Sequence, residues 1–146
     1  MVDPRAVRLR LREVDRRIGR LRRILEAGRE AFLGDPEVQA AAERHLQVAI
    51  QGAIDAGAHL VAEASAETPA DYAGVFAALA RMGVIDGGLA ERLARAARLR
   101  NLLVHLYLQV DPERLWEAIG QVGDLEALAA AVERHLGPGR GAPRAE

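Results

Sequence analysis

Arg100-Asn101-Leu102-Leu103-Val104-His105-Leu106-Tyr107 sets a guanidinium, a carboxamide, an imidazole and a phenol within two helical turns, among Leu and Val. A packed aliphatic helix has no need of four such groups. A guanidinium clamps phosphate bidentately and stabilises the charge that builds on it in a transition state. A neutral imidazole takes a proton from a ribose 2′-hydroxyl, and an imidazolium returns one to the leaving 5′-oxygen. The Asn101 amide could orient the phosphate or His105. Tyr107 could bond phosphate or stack on a base. The set suits phosphoryl transfer on RNA, with Arg100, His105 and Asn101 at its centre and no metal required. Two proton-transfer groups are needed, however, and this helix supplies one histidine. A twofold homodimer joined along this helix would supply the second. An Arg-x4-His spacing alone also occurs on solvated helix faces, so spacing by itself does not make a nuclease.

At about 100° per residue, Leu99, Leu102 and Leu106 fall together and are expected to face the protein core. Arg100, Asn101, His105 and Tyr107 then spread over the opposite half, with Val104 and Leu108 among them. Apolar residues inside a polar face point to a covering subunit.

The elements that must position this helix read as an all-α, up-and-down bundle of four to five helices. Asp3-Pro4 gives an N-cap followed by Pro at the first position. Val7, Leu11, Val14, Ile18, Leu21 and Leu25 make one apolar stripe, and Gly34 ends that segment. Asp35-Pro36 starts a second helix reaching about Ala64, its inner side running from Val38 through Leu46, Ile50, Ile54 and Gly57 to Val61. Thr68-Pro69-Ala70-Asp71 turns into a short helix with Tyr72, Val75, Phe76, Leu79 and Met82, stopped at Gly83. The motif helix is expected from Leu89 to about Gln109. Asp111-Pro112 opens the last helix, which Gly120 and Gly123 should kink or split and Gly137-Pro138 should stop. Short connections imply antiparallel neighbours. The expectation is a single domain over 1–137, with 138–146 as a frayed tail.

Composition narrows the function classes. The chain has 146 residues, enough for one well-buried core. Half are hydrophobic, 28 % are charged and only 3 % are aromatic, so aliphatic side chains build that core. Cysteine is absent, which excludes disulfides, thiolate zinc sites and cysteine nucleophiles. No apolar run approaches the roughly 18 residues of a membrane span. The N-terminus lacks a signal-peptide layout, so a cytoplasmic protein is expected. Residues 1–30 carry ten Arg against five acids, although the chain's net charge is −1. An Arg-rich first helix could attract nucleic acid. The plainer reading is a solvated face.

The motif resembles the R-x4-H-x-Y signature of HepT toxins, minimal members of the HEPN superfamily. The likeness includes the opening amphipathic helix, the stretch Glu43 to Gln51 with Ile54-Asp55, the turn at 69–72, and Gly83-Val84-Ile85. It runs to about Leu136. One departure is Leu99, where an aromatic is expected before Arg-Asn. The resemblance implies a dimeric all-helical RNase toxin. It is encoded beside a minimal nucleotidyltransferase (MNT) antitoxin that neutralises it by transferring AMP to the motif tyrosine. Carried over, Arg100 and His105 are catalytic, Asn101 supports them, and Tyr107 is the modified residue. The alternative is a non-catalytic helical binding partner of such a nucleotidyltransferase.

Other candidates are weaker. His45 and His59, with Glu63 four residues on, lack an evident third ligand, so no metal site is expected. Asp55 stands four residues before His59 and could pair with it. His135 suits the C-terminal end of a helix dipole. Trp116 is expected in the core or an interface. No Gly-rich phosphate loop is present, so neither ATP hydrolysis nor a resident cofactor is expected.

Overall fold

A computed structural model describes residues 3–64, 69–105 and 111–137, apart from the side chains of Val104 and His105. Leu106, Tyr107, Leu108 and the 138–146 tail lie outside the described residues. Everything described is helix, turn or loop. Helix α1 spans Pro4–Ala27, α2 Arg29–Leu33, α3 Pro36–Ala64, α4 Tyr72–Arg81, α5 Gly87–His105, α6 Pro112–Ile119 and α7 Val122–Leu136.

Aspartates open most of these helices. The Asp3 carboxylate accepts from the Arg5 N–H at 2.9 Å, Asp71 from Gly74 at 2.8 Å, and Asp86 from Leu89 at 2.7 Å. Asp35 accepts from Glu37 and Val38, and Asp111 from Glu113. Each satisfies a backbone N–H that the helix itself leaves unpaired, a contribution of about 1 kcal/mol per cap. The exit of α4 is equally determined. Gly83 adopts φ 77°, the Gly83 N–H donates to Ala80 and the Val84 N–H donates to Leu79. That is a Schellman turn, which demands a residue tolerant of positive φ.

Two expected helices prove to be pairs. The first breaks at Gly28, whose φ of 98° lets the chain turn and start α2. The turn drops Phe32 into the core, where it meets Trp116 with ring centroids 5.4 Å apart. The last expected helix splits at Gly120–Gln121 into α6 and α7, while Gly123 is absorbed inside α7. The motif helix begins at Gly87, two residues earlier than expected.

Helix α3 is the axis of the bundle and packs against all six other helices. Its buried residues include Leu46, Ile50, Ile54, Leu60 and Val61, interleaved with Ala42, Ala49, Ala53, Ala56 and Gly57. The small residues let neighbouring helices approach closely. Fully burying each Leu, Ile or Val contributes about 1.5–3 kcal/mol. No polar or charged residue is fully buried among the described residues. None of the described helices is long and apolar enough to cross a membrane.

The arginines of α1 are largely occupied by the fold. Arg8 pairs with Glu133 at 3.0 Å and Arg22 with Glu126 at 2.6 Å, both on α7. Arg29 of α2 pairs with Glu113 of α6. At about 0–1 kcal/mol each, these exposed pairs add little stability. They do direct much of the N-terminal positive charge toward the acidic second half of the chain.

Candidate functional site

The inward face of α5 differs from the wheel drawn on the sequence. Leu93, Ala97 and Leu103 form its buried stripe, Leu99 is half-buried, and Leu102 is 49 % exposed. The stripe advances by four, then by six residues, and Arg100 falls on it between Ala97 and Leu103. Of the expected Leu99-Leu102-Leu106 row, Leu99 packs against the core, Leu102 does not, and Leu106 lies outside the described residues. Arg100 does not lie on the half opposite the core.

Arg100 is half-buried at the edge of that stripe. Its Nε is wholly buried and has no hydrogen-bond partner among the described residues. Its Nη1 donates to Asn101 Oδ1 at 3.3 Å, and Asn101 is exposed. The structure thus brings Arg100 and Asn101 together. The backbone of His105 continues in α5, one turn beyond Asn101. Tyr107 lies outside the described residues.

Arg100 faces a groove of about 460 Å³ between α1, α3 and α5, shared with Arg10, Arg44, Gln47, Gln51 and Asp55. Gln51 is half-buried, and its Nε2 donates to Asp55 Oδ1 at 2.8 Å. An ionised carboxylate only accepts, so this bond fixes the amide orientation. Gln51 Oε1 is then a buried acceptor, and it too has no partner among the described residues. Leaving such an atom unmatched costs about 1–3 kcal/mol. The two residues that carry these atoms both line the groove, although the atoms themselves are buried.

The groove is cationic. Arg10, Arg44 and Arg100 border it, and Arg10 Nε stands 3.9 Å from Asp55 Oδ2. Glu13 also borders it, but Arg16 and Arg17 each hold its carboxylate at 2.9 Å. The hydrogen bond from Arg17 keeps Glu13 below the usual carboxylate range. Asp55 is thus engaged by Gln51 and Arg10, and not by His59 as the sequence spacing suggested.

His45 has a different neighbour from the one a metal site would need. Its Nδ1 lies 3.0 Å from Arg17 Nη1. A guanidinium only donates, so Nδ1 accepts and the imidazole is neutral. Burial, then the charges of Arg17 and Arg20, hold its pKa below the ordinary value. Among the described residues no group of three His, Asp or Glu is placed to hold a metal.

A larger cavity of about 660 Å³ opens on the other flank of α5, over Leu46, Ile50, Leu99 and Leu102. Neither Gln51 nor Arg100 lines it. The groove beside Arg100 is therefore the better candidate for chemistry. Sequence reading reached Arg100, Asn101 and Asp55 but missed Arg10, Arg44, Gln47 and Gln51 as a group. The available signal was the spacing 44, 47, 51 and 55, a polar edge running beside the apolar stripe of α3.

A family model described as "Ribonuclease HepT-like" matches residues 14–135. A "tRNA nuclease HepT" from Aphanizomenon flos-aquae is 28 % identical over 118 residues, covering 81 % of this chain and 80 % of that protein. A "Putative RNase" from Archaeoglobus fulgidus is 37 % identical over 78 residues, covering 53 % and 58 % of the two chains. A solved structure of tri-AMPylated Shewanella oneidensis HEPN toxin in complex with MNT antitoxin superposes with a TM-score of 0.78 at 21 % identity. It covers 86 % of this chain and 95 % of that one. At that identity the likeness is one of fold.

Proposed function

The chain belongs to the HepT-like ribonuclease family, and we propose that it is the toxin of a HEPN/MNT-type toxin–antitoxin pair. In this reading it is a metal-independent endoribonuclease acting at a homodimer interface. His105 takes the proton of the attacking 2′-hydroxyl, and its counterpart across the twofold axis protonates the leaving 5′-oxygen. Arg100 stabilises the charge of the phosphorane-like transition state, and Asn101 orients the group that Arg100 holds. The products are a 2′,3′-cyclic phosphate and a 5′-hydroxyl. A minimal nucleotidyltransferase silences the enzyme by transferring AMP to Tyr107.

The observation that carries this reading is the setting of Arg100. Most arginines in a helical protein extend into water. Arg100 instead has its Nε buried, its Nη1 on Asn101 and its flank on a cationic groove. A guanidinium held this way is ordered before substrate arrives, which lowers the entropic cost of binding phosphate. The resemblance to a toxin solved in AMPylated form with its antitoxin supports the mode of control. The test is incubation of the purified protein with transfer RNA and other RNAs in excess EDTA. Cleavage leaving cyclic phosphate ends is the expected result. Intact RNA throughout, or activity restored only by added divalent cation, rejects the mechanism.

A further inference from the structure

We propose that the outward face of α1 is a second RNA-binding surface, a row of arginines that holds the sugar–phosphate backbone beyond the segment being cut. The proposal rests on the ribonuclease reading and makes the substrate an RNA long enough to reach both places.

At about 100° per residue, Arg5, Arg12, Arg16, Arg20 and Arg23 fall within about 80° of one another, opposite the buried stripe from Val7 to Leu21. All five are exposed. From Arg5 to Arg23 the row is about 27 Å long. The acids of α1, Glu13, Asp15 and Glu26, stand on its flanks, and Arg16 and Arg17 hold Glu13. Arg12, Arg20 and Arg23 make no hydrogen bond or ion pair among the described residues. Arg12 borders a hollow with Asp15, Glu126 and Glu133, but Arg22 and Arg8 already hold the two glutamates. Arg5 meets only the capping Asp3, at 3.5 Å.

The row does not serve the helix itself. Arg12, Arg16 and Arg20 follow one another at i, i+4, and like charges at that spacing destabilise a helix. A face kept only for solubility mixes both signs, as the exposed Glu126, Glu133 and Arg134 of α7 do. A line of guanidinium groups instead fits a polyanion with regularly spaced charges, and each can hold phosphate bidentately. A stacked strand carries a phosphate about every 3.4 Å along its axis, so a row of about 27 Å matches roughly eight nucleotides. The groove that Arg100 faces has Arg10 of the same helix on its wall. One strand can therefore pass from Arg100 by Arg10 onto the row. Leu9, 61 % exposed, is the one large apolar side chain within it, too little for an apolar protein contact. An interfacial membrane helix needs a free apolar face, and α1 buries its own in the bundle.

The test measures binding of a 2′-O-methyl RNA hairpin, which cannot be cut through a 2′-hydroxyl, by fluorescence anisotropy across a salt series. Arg12→Gln, Arg20→Gln and Arg23→Gln made together remove three charges and no contact among the described residues. The slope of log affinity against log salt should become shallower by about 2–3. Arg12→Lys, Arg20→Lys and Arg23→Lys made together keep the charge and should keep the parental slope. Arg81→Gln with Arg134→Gln, exposed arginines of α4 and α7, should leave the slope close to parental. With cleavable RNA the glutamine variant should raise KM at unchanged kcat, and with a trinucleotide it should match the parent. A glutamine variant with parental slope would overturn the proposal. So would a lysine variant that loses the slope, or a control pair that loses as much per charge. Anionic lipid vesicles bound more tightly than the hairpin through the same three arginines would also overturn it. Loss of slope in a protein that cuts no RNA keeps the row and rejects the cleavage reading. RNA cleavage by the parent, with an unchanged slope in the glutamine variant, does the reverse.

Discussion

Gly52 of α3 lies directly against Val14 of α1, and a Cβ built on the glycine would stand 2.7 Å from Val14 Cγ2. Gly52 also borders the groove that Arg100 faces, so this close approach of α1 and α3 shapes one wall of the site. Alanine would be favoured over glycine by up to about 1 kcal/mol in a free helix. Here the added methyl meets a stiff β-branched side chain with no exposed surface, and overpacking costs about 1–3 kcal/mol. Gly52→Ala should therefore destabilise the fold. Gly19, on the exposed side of α1, has nothing within 4 Å of its added Cβ, and Gly19→Ala should stabilise by about 0.5–1 kcal/mol. Urea denaturation of both variants beside the parent checks the pair. Equal gains from the two would mean that α1 and α3 do not pack this tightly.

A second prediction concerns pH. Unfolded His45 takes up a proton near its ordinary 6.5, whereas folded His45 does so at lower pH because of burial and the Arg17 and Arg20 charges. Between those two values the unfolded state binds more protons, so stability rises with pH across that window. The contribution is complete above about pH 6.5 and is progressively lost on acidification. Glu13 opposes the shift but is the weakest influence. His45→Gln should flatten the thermal melting profile between about pH 5 and 7, because glutamine does not titrate. A parent and variant with parallel profiles would show that His45 is not held neutral by the fold.

Much of the fold was legible because helix signals are local. Asp3-Pro4, Asp35-Pro36, Asp71 and Asp111-Pro112 announce their helices by chemistry confined to three or four residues. Breaks inside a helical stretch were less legible. Gly28 and Gly123 look alike in sequence, yet the chain turns at the first and runs through the second, since burying Phe32 against Trp116 rewards only the first turn. The α5 wheel failed for a related reason. Leu102 looked like core and Arg100 like surface, but the buried row is set by where α3 lies, which the segment does not encode. The pairing of α1 arginines with α7 carboxylates joins residues more than a hundred positions apart, beyond the reach of any local pattern.

For catalysis, His105→Ala removes the proposed proton-transfer group and should cost about 10²–10⁴-fold in cleavage rate. Arg100→Ala removes the charge proposed to stabilise the transition state and should cost about 10²–10³-fold. Arg100 makes no ion pair with a described residue, so its loss leaves no uncompensated carboxylate behind. Both variants should keep the parental circular dichroism spectrum. A folded His105→Ala protein that cuts RNA at the parental rate would remove His105 from the mechanism.

Assembly is open to a simple measurement. The proposed dimer joins the motif helices, with Val104 among their polar residues. Val104→Glu would set two carboxylates near each other across the twofold axis in a partly desolvated interface, where unpaired charge is costly. Sedimentation velocity should show a dimer at micromolar concentration for the parent and a shift toward monomer for the variant. A monomeric parent would exclude an active site shared between protomers.

Control by the partner gives the last prediction. Tyr107 follows Arg100 by seven residues in the sequence, a spacing of close to two helical turns. AMP attached to its phenol adds a phosphodiester charge and a bulky nucleoside beside the proposed phosphate site. The phosphate would pair with the Arg100 guanidinium, and the nucleoside would fill space needed by RNA, so charge and volume both exclude substrate. Incubation with ATP, magnesium and a cognate minimal nucleotidyltransferase should add the mass of AMP at Tyr107 and suppress cleavage. Tyr107→Phe should gain no mass at that position and should remain active after the same treatment, with its dimer intact. Modification mapped to another residue would sink this mode of control. Inhibition of an unmodified protein by the partner would replace it with blockade by tight binding.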